Sequence, residues 1–163
     1  MKKLMLVLVA SACCSAFTIN ASAQQQADQA TADAVIAMTK AQWAAGMKDP
    51  TNVTEQSKDM SDDYTEFNGD YATRLDGKAM SSRLAEASGK ASGKTIAAEM
   101  ANPKVQVYNG NTAILTYNYV GLTQDKDGKT EPNRAKSTRV YVKKGEKWTL
   151  VHANFGSDPL PKQ

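Results

Sequence analysis

The hydrophobic pattern of the chain changes period near residue 95, and this change restricts the possible folds more than any other feature of the sequence. Upstream, the stretch Ala27 to Lys48 predicts an amphipathic helix, because its apolar residues recur at helical spacing along one side. Downstream, residues of β type dominate five runs: Thr95 to Met100, Val105 to Tyr108, Thr112 to Thr123, Ala135 to Lys143 and Trp148 to Phe155. Helices followed by an antiparallel meander predict an α+β domain whose sheet buries one face against the helices.

Shorter segments complete the expected order of elements. Thr54 to Met60 predicts a second, short helix, Tyr64 to Phe67 a short strand, and Lys78 to Ala87 a third helix. The segment Ser88 to Lys94 is rich in Gly, Ser and Lys and predicts a mobile loop. Asn109-Gly110 indicates a tight hairpin, since a type I′ turn needs a positive φ at both central residues.

The N-terminus has the features of an export signal. Lys2 and Lys3 precede an apolar run, and Ala21-Ser22-Ala23 provides a cleavage site of the A-x-A type before Gln24. We expect residues 1–23 to be a signal peptide, residues 24–163 to form a single domain, and the protein to be periplasmic or secreted.

Two other interpretations of the N-terminus stay open. An uncleaved transmembrane helix would need roughly 18 consecutive apolar residues, and polar residues interrupt this run from Ser11 onward. Lipid attachment at Cys13 or Cys14 would anchor the protein instead, although Ala10 stands where such signals usually have a larger aliphatic residue. Ordinary cleavage fits the residues better than a membrane span or a lipid anchor.

Charge and cysteine content exclude several kinds of protein. Loss of Lys2 and Lys3 would change 20 basic and 17 acidic residues into 18 and 17, and this near-neutral balance argues against a nucleic-acid partner. Both cysteines lie in the predicted signal peptide, so residues 24–163 contain no thiol for a disulfide, a metal site or a nucleophile.

Three motifs suggest particular chemistries but fit them poorly. Asp125, Asp127 and Gly128 lack the further oxygen ligands and the closing Glu of a calcium loop, and favour a hairpin turn. His152 is the one histidine, whereas transition-metal sites combine several N, S or carboxylate donors. No serine lies in the G-x-S-x-G setting of a nucleophile that would use His152 as its base. We therefore expect neither a metal nor another cofactor.

A series of short matches in the second half of the chain carries a family resemblance. In order along the sequence, these are Asn102 to Val107, Thr112-Ala113, Leu122 to Gln124, Asp127-Gly128, Thr138 to Val140, Gly145 to Trp148, Val151-His152, Gly156 and Pro159. With these matches the chain resembles the association domain of calcium/calmodulin-dependent protein kinase II, within the nuclear transport factor 2-like superfamily. The resemblance covers most of residues 27–160 and is strongest from Asn102 onward. These 163 residues contain no kinase domain, so kinase activity is not carried over.

The resemblance implies a fold and a mode of association. The fold is the cone-shaped, cystatin-like one, in which a curved antiparallel sheet wraps around a long N-terminal helix. A pocket inside the cone and assembly into homodimers or larger rings are also implied. Ketosteroid isomerases and SnoaL-like polyketide cyclases share the superfamily, so a small isomerase, lyase or cyclase is the enzymatic alternative.

Strand alternation and the resemblance together predict a ligand site. Alternation places Tyr117, Tyr119 and Gly121 on one face of their strand, and Arg139 and Tyr141 on one face of the next. By resemblance, Arg139 matches a pocket arginine of the family. The predicted ligand-binding residues are Arg139, Tyr117, Tyr119, Tyr141 and Phe155. A surface ion pair between Arg139 and a local carboxylate is the alternative.

The predicted pocket is less cationic than the resemblance implies for the family. Gly121 and Phe155 stand where two further pocket arginines are expected. A pocket with one guanidinium and several phenol rings would hold an anionic ligand more weakly, or would take a more apolar one.

The last strand is expected to present two different faces. The resemblance assigns one face to the pocket, and we expect the other face to meet a second subunit together with Val140 and Val142. Alternation puts Thr149, Val151, Ala153 and Phe155 on the pocket face, and Trp148, Leu150, His152 and Asn154 on the contact face.

Catalysis would need a carboxylate base and a donor to a developing oxyanion. The available acids are Glu66, Asp70, Asp76 and Glu99, and the available donors are Tyr64 and Tyr117. No motif distinguishes these acids from solvated ones. Three functions therefore stay open, in this order: non-catalytic binding of a small anionic molecule by a self-assembling domain, assembly with a vestigial pocket, and isomerase, lyase or cyclase catalysis.

Overall fold

Helices predominate in the first part of the chain and strands in the second part, over the residues that the structure, a computed structural model, describes: residues 4–91 and 93–158, with side chains from residue 22 onward. The elements are α1 (Leu4–Lys48), α2 (Val53–Gln56), β1 (Met60–Asn68), β2 (Leu75–Asp76), α3 (Lys78–Ala91), β3 (Lys94–Tyr108), β4 (Thr112–Gln124), β5 (Thr130–Lys144) and β6 (Lys147–Ser157). Lys2, Lys3, Pro159 and the side chains of Cys13 and Cys14 lie outside the described residues.

Helix α1 packs its C-terminal part against the sheet. Val35 and Thr39, one turn apart, are buried, and Trp43 in the following turn packs against the core. The helix ends where Asp49 donates its N–H to the Ala45 carbonyl over 3.0 Å, because the proline that follows disfavours a further helical residue. The predicted amphipathic helix is confirmed, and the described helix extends further toward the N-terminus than the sequence pattern indicated.

The six strands form one curved, unclosed sheet in the order β2-β1-β6-β5-β4-β3. Strands β3 to β6 make an antiparallel meander, and β1 joins the free side of β6 in parallel. Helix α1 lies against β3 and β4, and α3 lies against β1 and β2. The predicted α+β fold, a long helix held in a curved sheet, is therefore confirmed.

The hydrophobic core lies between α1 and the concave face of the sheet, and each large side chain buried there contributes about 1.5–3 kcal/mol. At its centre Tyr141 donates its hydroxyl to Thr39 Oγ1 over 2.7 Å, because Thr39 already gives its own hydrogen to the Val35 carbonyl. The buried members of the core are Val35, Tyr64, Met100, Ala113, Leu115, Tyr117, Tyr141, Leu150 and Ala153.

Two turns have the predicted character. Asn109 and Gly110 have φ values of 52° and 66°, as the expected type I′ hairpin between β3 and β4 requires. In the turn between β4 and β5, the Asp125 carboxylate accepts the backbone N–H groups of Asp127 and Lys129 over 2.9 Å each. The Asp125 side chain therefore closes a turn, as the hairpin interpretation expected.

The middle of the chain differs from the expectation. The segment Ser88 to Lys94 is not a loop throughout, because α3 continues to Ala91 and β3 begins at Lys94. An ion pair of 2.6 Å between Lys90 and Glu86, four residues apart, stabilises this last part of the helix. The two runs expected as separate strands before the hairpin form the single strand β3, with a shift of register between Ala101 and Lys104.

A β-bulge in β6 makes part of the predicted face assignment wrong. His152 lies opposite Val140, but Leu150 lies opposite Tyr141, so Val151 is an extra residue without a partner on β5. Leu150 is buried and Trp148 packs against the core, so both belong to the inner face and not to the expected contact face. Past the bulge the predicted faces hold: Ala153 is buried and His152 lies on the outer side.

Among the described residues, no helix contains a stretch that is both long and apolar enough to cross a membrane.

Candidate ligand-binding cavity

Three adjoining chambers open between α1, α3 and the concave face of the sheet, and Arg139 lines all three; together they are called the Arg139 cavity. The aromatic chamber, of about 390 Å³, is walled by Trp43, Tyr117, Tyr119 and Phe155. The acidic chamber, of about 270 Å³, includes Gln42, Tyr64, Glu66, Asn68, Leu75 and Phe155. The helix chamber, of about 470 Å³, lies between the ends of α1 and α3 and reaches Thr95 and Tyr119.

Arg139 is 5% exposed and is held by neutral groups. Its Nε donates to the Tyr117 hydroxyl oxygen over 2.9 Å, and its Nη1 donates to Gln42 Oε1. Its Nη2 has no hydrogen-bond partner among the described residues, and no carboxylate in that part of the chain forms an ion pair with it. The surface ion pair considered as the alternative is therefore not what the structure contains.

Tyrosine oxygens surround the guanidinium. Burial acts to lower the pKa of Arg139, but the oxygens of Tyr117, Tyr141 and Tyr64 outweigh it and leave this pKa raised. The Arg139 charge is therefore permanent, and any molecule that enters the cavity meets a fixed cation.

Aromatic rings form one wall of the cavity around the guanidinium. Trp43 packs on Tyr117 with ring centroids 5.5 Å apart, and on Tyr119 edge-to-face at 5.2 Å. On the other side, the Cζ atom of Arg139 stands 5.4 Å from the centroid of the Phe155 ring, within the range of a cation–π contact. These ring contacts stiffen the wall beside the guanidinium.

Glu66 supplies a second buried charge in the acidic chamber. It is 8% exposed, and it accepts the Tyr64 hydroxyl on Oε2 over 2.8 Å and the Asn68 side-chain amide on Oε1 over 3.1 Å. Burial, then the neighbouring Glu66 carboxylate, raises the pKa of Tyr64, so Tyr64 stays a phenol that donates to Glu66.

A known protein family matches most of the chain. The family model described as the calcium/calmodulin dependent protein kinase II association domain matches residues 31–159. The chain belongs to the calcium/calmodulin-dependent protein kinase II association-domain family. A comparison with curated protein sequences finds no match.

Solved structures agree with this family at the level of the fold. The association domain of the C. elegans kinase has a TM-score of 0.65 at 16% identity, covering 80% of this chain and 98% of that one. The kinase hub of S. rosetta has a TM-score of 0.61 at 21% identity, covering 76% and 94%. A nuclear transport factor 2-like protein of unknown function from Pseudomonas putida KT2440 has a TM-score of 0.66 at 15% identity, covering 80% and 88%.

The two positions that depart from the association-domain pattern have a structural explanation. A Cβ atom at Gly121 would lie 2.4 Å from the Tyr119 hydroxyl, so the Tyr119 ring occupies the space that a side chain at position 121 would need. Phe155, at the other departing position, stacks on Arg139 instead of adding a charge beside it. Aromatic rings therefore replace the two arginines that the resemblance led us to expect.

The structure brings four of the five predicted ligand-binding residues together. Arg139, Tyr117, Tyr119 and Phe155 all line the aromatic chamber. Tyr141 lies outside the lining of the three chambers, because its hydroxyl is turned to Thr39 and its ring is buried in the core. Its position on the correct face of β5 was predicted, but the packing of α1 over it was not visible in the strand pattern.

The four acids considered for catalysis have different positions. Glu66 is buried in the acidic chamber, and Asp70 is exposed at its rim. Asp76 is exposed and pairs with Arg74 over 2.7 Å, and Glu99 is exposed on β3. Of the two candidate donors, Tyr64 is already bonded to Glu66, whereas Tyr117 accepts from Arg139 and keeps its own hydrogen to donate.

Gln42 is a site residue that sequence reasoning missed. It lies seven residues after Val35 and three after Thr39, so it belongs to the stripe that α1 turns toward the sheet. A polar residue on such a stripe is a signal that could have identified it, since a polar group placed there needs a partner. That partner is Arg139.

His152 and the carboxylates do not form a metal site in the described part of the chain. His152 Nδ1 lies 2.9 Å from Thr65 Oγ1 on the outer side of the sheet, and its ring meets Phe67 edge-to-face at 6.2 Å. Within the described residues, no group of three or more His, Cys, Asp or Glu side chains is placed to hold a metal ion.

Proposed function

We propose that this protein is an exported, self-assembling domain that binds a small anionic molecule in the Arg139 cavity. The observation that carries the binding role is the buried guanidinium of Arg139, which lines all three chambers and has no carboxylate in ion-pair contact among the described residues. Fold resemblance alone would not support a ligand, because unrelated functions share such folds.

Physical chemistry favours an anion as the occupant. An arginine cannot lose its proton inside a protein, and a buried charge is costly unless an opposite charge or several hydrogen bonds compensate it. Tyr117 and Gln42 use Nε and Nη1, which leaves the hydrogens of Nη2 for a ligand. A carboxylate would add a charge-assisted hydrogen bond at this nitrogen, with the Phe155 and Tyr119 rings covering its apolar part.

Replacement of Arg139 by Ala tests the binding role. Because a hydrogen bond to a charged group contributes about 1.5–3 kcal/mol, we expect Arg139→Ala to weaken binding of short aliphatic and aromatic carboxylates by about ten- to a hundredfold in isothermal calorimetry. The matched control is Arg74→Ala, which removes the same charge at an exposed position paired with Asp76. If carboxylates bind Arg139→Ala, Arg74→Ala and the unchanged protein with equal affinity, the proposed function is contradicted.

Self-assembly is supported by membership of the association-domain family and by the outer face of the sheet. Ile114, Val140 and Val142 point to that side at aligned positions of β4 and β5, and they are only partly buried within one chain. Phe67 on the neighbouring β1 side is 50% exposed. An apolar surface of this kind is typical of a contact between subunits, and analytical ultracentrifugation would detect the association.

Proton-transfer catalysis is the second candidate, and the burial of Glu66 is the observation that favours it. Glu66 would be the base and Tyr117, polarised by Arg139, the donor to an enolate oxygen. Deuterium incorporation from heavy water into a ketone or keto acid, abolished by Glu66→Gln, would support catalysis; its absence across a panel of such compounds would leave binding alone.

Export is proposed from the Lys start, the apolar run and the A-x-A site at the N-terminus. We expect the intact mass of the protein recovered from the cell envelope or the medium to correspond to a chain that starts at Gln24. An acylated Cys13, or an uncleaved chain, would contradict it.

A further inference from the structure

We propose that the ligand of the Arg139 cavity is a zwitterion, a small molecule that carries a carboxylate at one end and an ammonium group at the other. This inference rests on the proposed binding function and goes beyond it, because it assigns a recognition role to Glu66. The cavity would then select for a second charge on the ligand and not only for an anion.

The register of the sheet places the two buried charges on either side of one small residue. Glu66 on β1 lies opposite Ala153 on β6, and Ala153 lies opposite Arg139 on β5. The backbones that carry Glu66 and Arg139 are therefore two strand spacings apart, roughly 10 Å. Ala153 carries only a methyl group between them, and both long side chains line the same chamber.

Neither charge is neutralised by the described part of the protein. Glu66 and Arg139 are the two buried ionisable acid and base groups there, and they form no ion pair with each other or with another residue. Tyr64 and Asn68 donate hydrogen bonds to Glu66, and Tyr117 and Gln42 accept hydrogen bonds from Arg139. Neutral partners fix the direction of each charged group, and neither group has an ion-pair partner among the described residues.

A zwitterion matches this arrangement better than a simple anion does. A carboxylate alone would satisfy Arg139 but would bring a second negative charge into the chamber that Glu66 lines, and like charges repel strongly where water is excluded. An added ammonium group turns that repulsion into a second charge-assisted contact. The remaining charged groups of the lining, Asp70, Lys94 and Arg134, are exposed and so are largely screened by solvent.

The acidic chamber also contains apolar side chains that favour an aliphatic spacer. Phe155 lines both the aromatic and the acidic chamber, and Leu75 lines the acidic chamber. A chain of methylene groups would lie against these side chains, with one charged group at each end.

A matched series of probes tests this inference by calorimetry at one pH and ionic strength. The series consists of unbranched ω-amino carboxylates of three to seven carbons, the unbranched carboxylates of the same lengths, and the corresponding amines. We expect at least one amino carboxylate to bind about tenfold or more tightly than the carboxylate and the amine of equal length.

Two variants identify the side chain that is responsible for the preference for an amino group. Glu66→Gln keeps the size of the side chain and a hydrogen-bond acceptor for Tyr64, and we expect it to remove the preference for the amino group while plain carboxylates bind as well as before or better. Glu99→Gln removes the same charge at an exposed position of β3 outside the chambers and is expected to leave the preference intact. Circular dichroism establishes that each variant is folded.

The possible outcomes separate this inference from the function on which it rests. If carboxylates bind through Arg139 but an amino group adds nothing at any chain length, the zwitterion is wrong and the anion-binding function stands. If no carboxylate in the series binds, the proposed function itself fails. Since the probe series is measured first on the unchanged protein, it is decisive even if Glu66→Gln does not fold.

Discussion

Tyr64 is a neutral phenol enclosed beside a carboxylate, and this gives the fold a defined response to alkali. It is 1% exposed, and burial, followed by the Glu66 charge, raises its pKa above the ordinary value of 10.0. Between that ordinary value and the higher folded pKa, an unfolded chain loses the Tyr64 proton while the folded chain keeps it. The folded state therefore binds more protons there, and stability falls as the pH rises above about 10.

Replacement of Tyr64 by Phe should make this alkaline decline shallower. The Tyr64 contribution to the slope is up to about 1.4 kcal/mol per pH unit, because a single proton is involved. Urea denaturation at a series of pH values from 8 to 11 measures it. Tyr108→Phe, at a tyrosine that is 47% exposed, serves as the control. Equal slopes for Tyr64→Phe and the unchanged protein would contradict this assignment.

At the level of residues, strand alternation was sufficient to predict which side chains lie together on the inner face of the sheet. Arg139, Tyr117, Tyr119 and Phe155 were placed on the inner face by parity and resemblance, and they do line one chamber. Glu66 was included among four acids without a distinguishing motif. Its burial depends on β1 pairing with β6, a contact between segments almost 90 residues apart that no local pattern reveals.

At the level of elements, the bulge in β6 shows where periodicity fails to predict which face of the sheet a residue lies on. Alternation assigned Leu150 and His152 to the same face, and one extra residue at Val151 reverses that relation. The sequence does not mark this bulge, because Val is a residue that is enriched in strands in general. Turn chemistry is more local, and for that reason the hairpin at Asn109-Gly110 was predictable.

The β3–β4 hairpin allows a clean test of backbone conformation. Gly110 has a φ of 66° and nothing within 4 Å of a Cβ atom built on it, so Gly110→Ala introduces strain without a clash. We expect a loss of about 1–2 kcal/mol in the free energy of unfolding, the cost of left-handed backbone for a residue with a side chain.

The control for the hairpin is Gly69→Ala. Gly69 also has open space around it, but its φ is not in the left-handed region. We expect this substitution to leave stability unchanged or to raise it slightly, since Ala restricts the unfolded chain. If the denaturation curves of the two variants shift equally, the left-handed backbone of the turn is not the reason that position 110 requires glycine.

At the level of the whole molecule, the outer face of the sheet should determine the oligomeric state. We propose at least a homodimer, and we expect Val140→Asp to shift it toward monomer in sedimentation velocity, because a carboxylate buried in a subunit contact would be unpaired. Met80→Asp places the same charge on α3, at a residue that is 41% exposed, and is expected to leave the association unchanged. A concentration-independent monomer of the unchanged protein would contradict the proposal.

The overall architecture was more predictable than the subunit surface. Helices before strands, the antiparallel meander and the long first helix all follow from periodicity and turn residues, and the family resemblance added the curvature of the sheet. The outer face was only partly predicted, since His152, Val140 and Val142 lie there whereas Trp148 and Leu150 pack inward. The position of β1 beside β6 came from neither source.

That position of β6 determines when the fold can become complete. Strand β6, which comes after the other five along the chain, is an inner strand of the sheet, with β5 on one side and β1 on the other. Until β6 pairs, β1 and β2 have no partner in the meander, and Glu66 and Arg139 belong to separate parts of the sheet. Contacts so distant in sequence form slowly, so folding of the sheet and formation of the cavity are expected as one late event. A chain truncated before Lys147 would have neither.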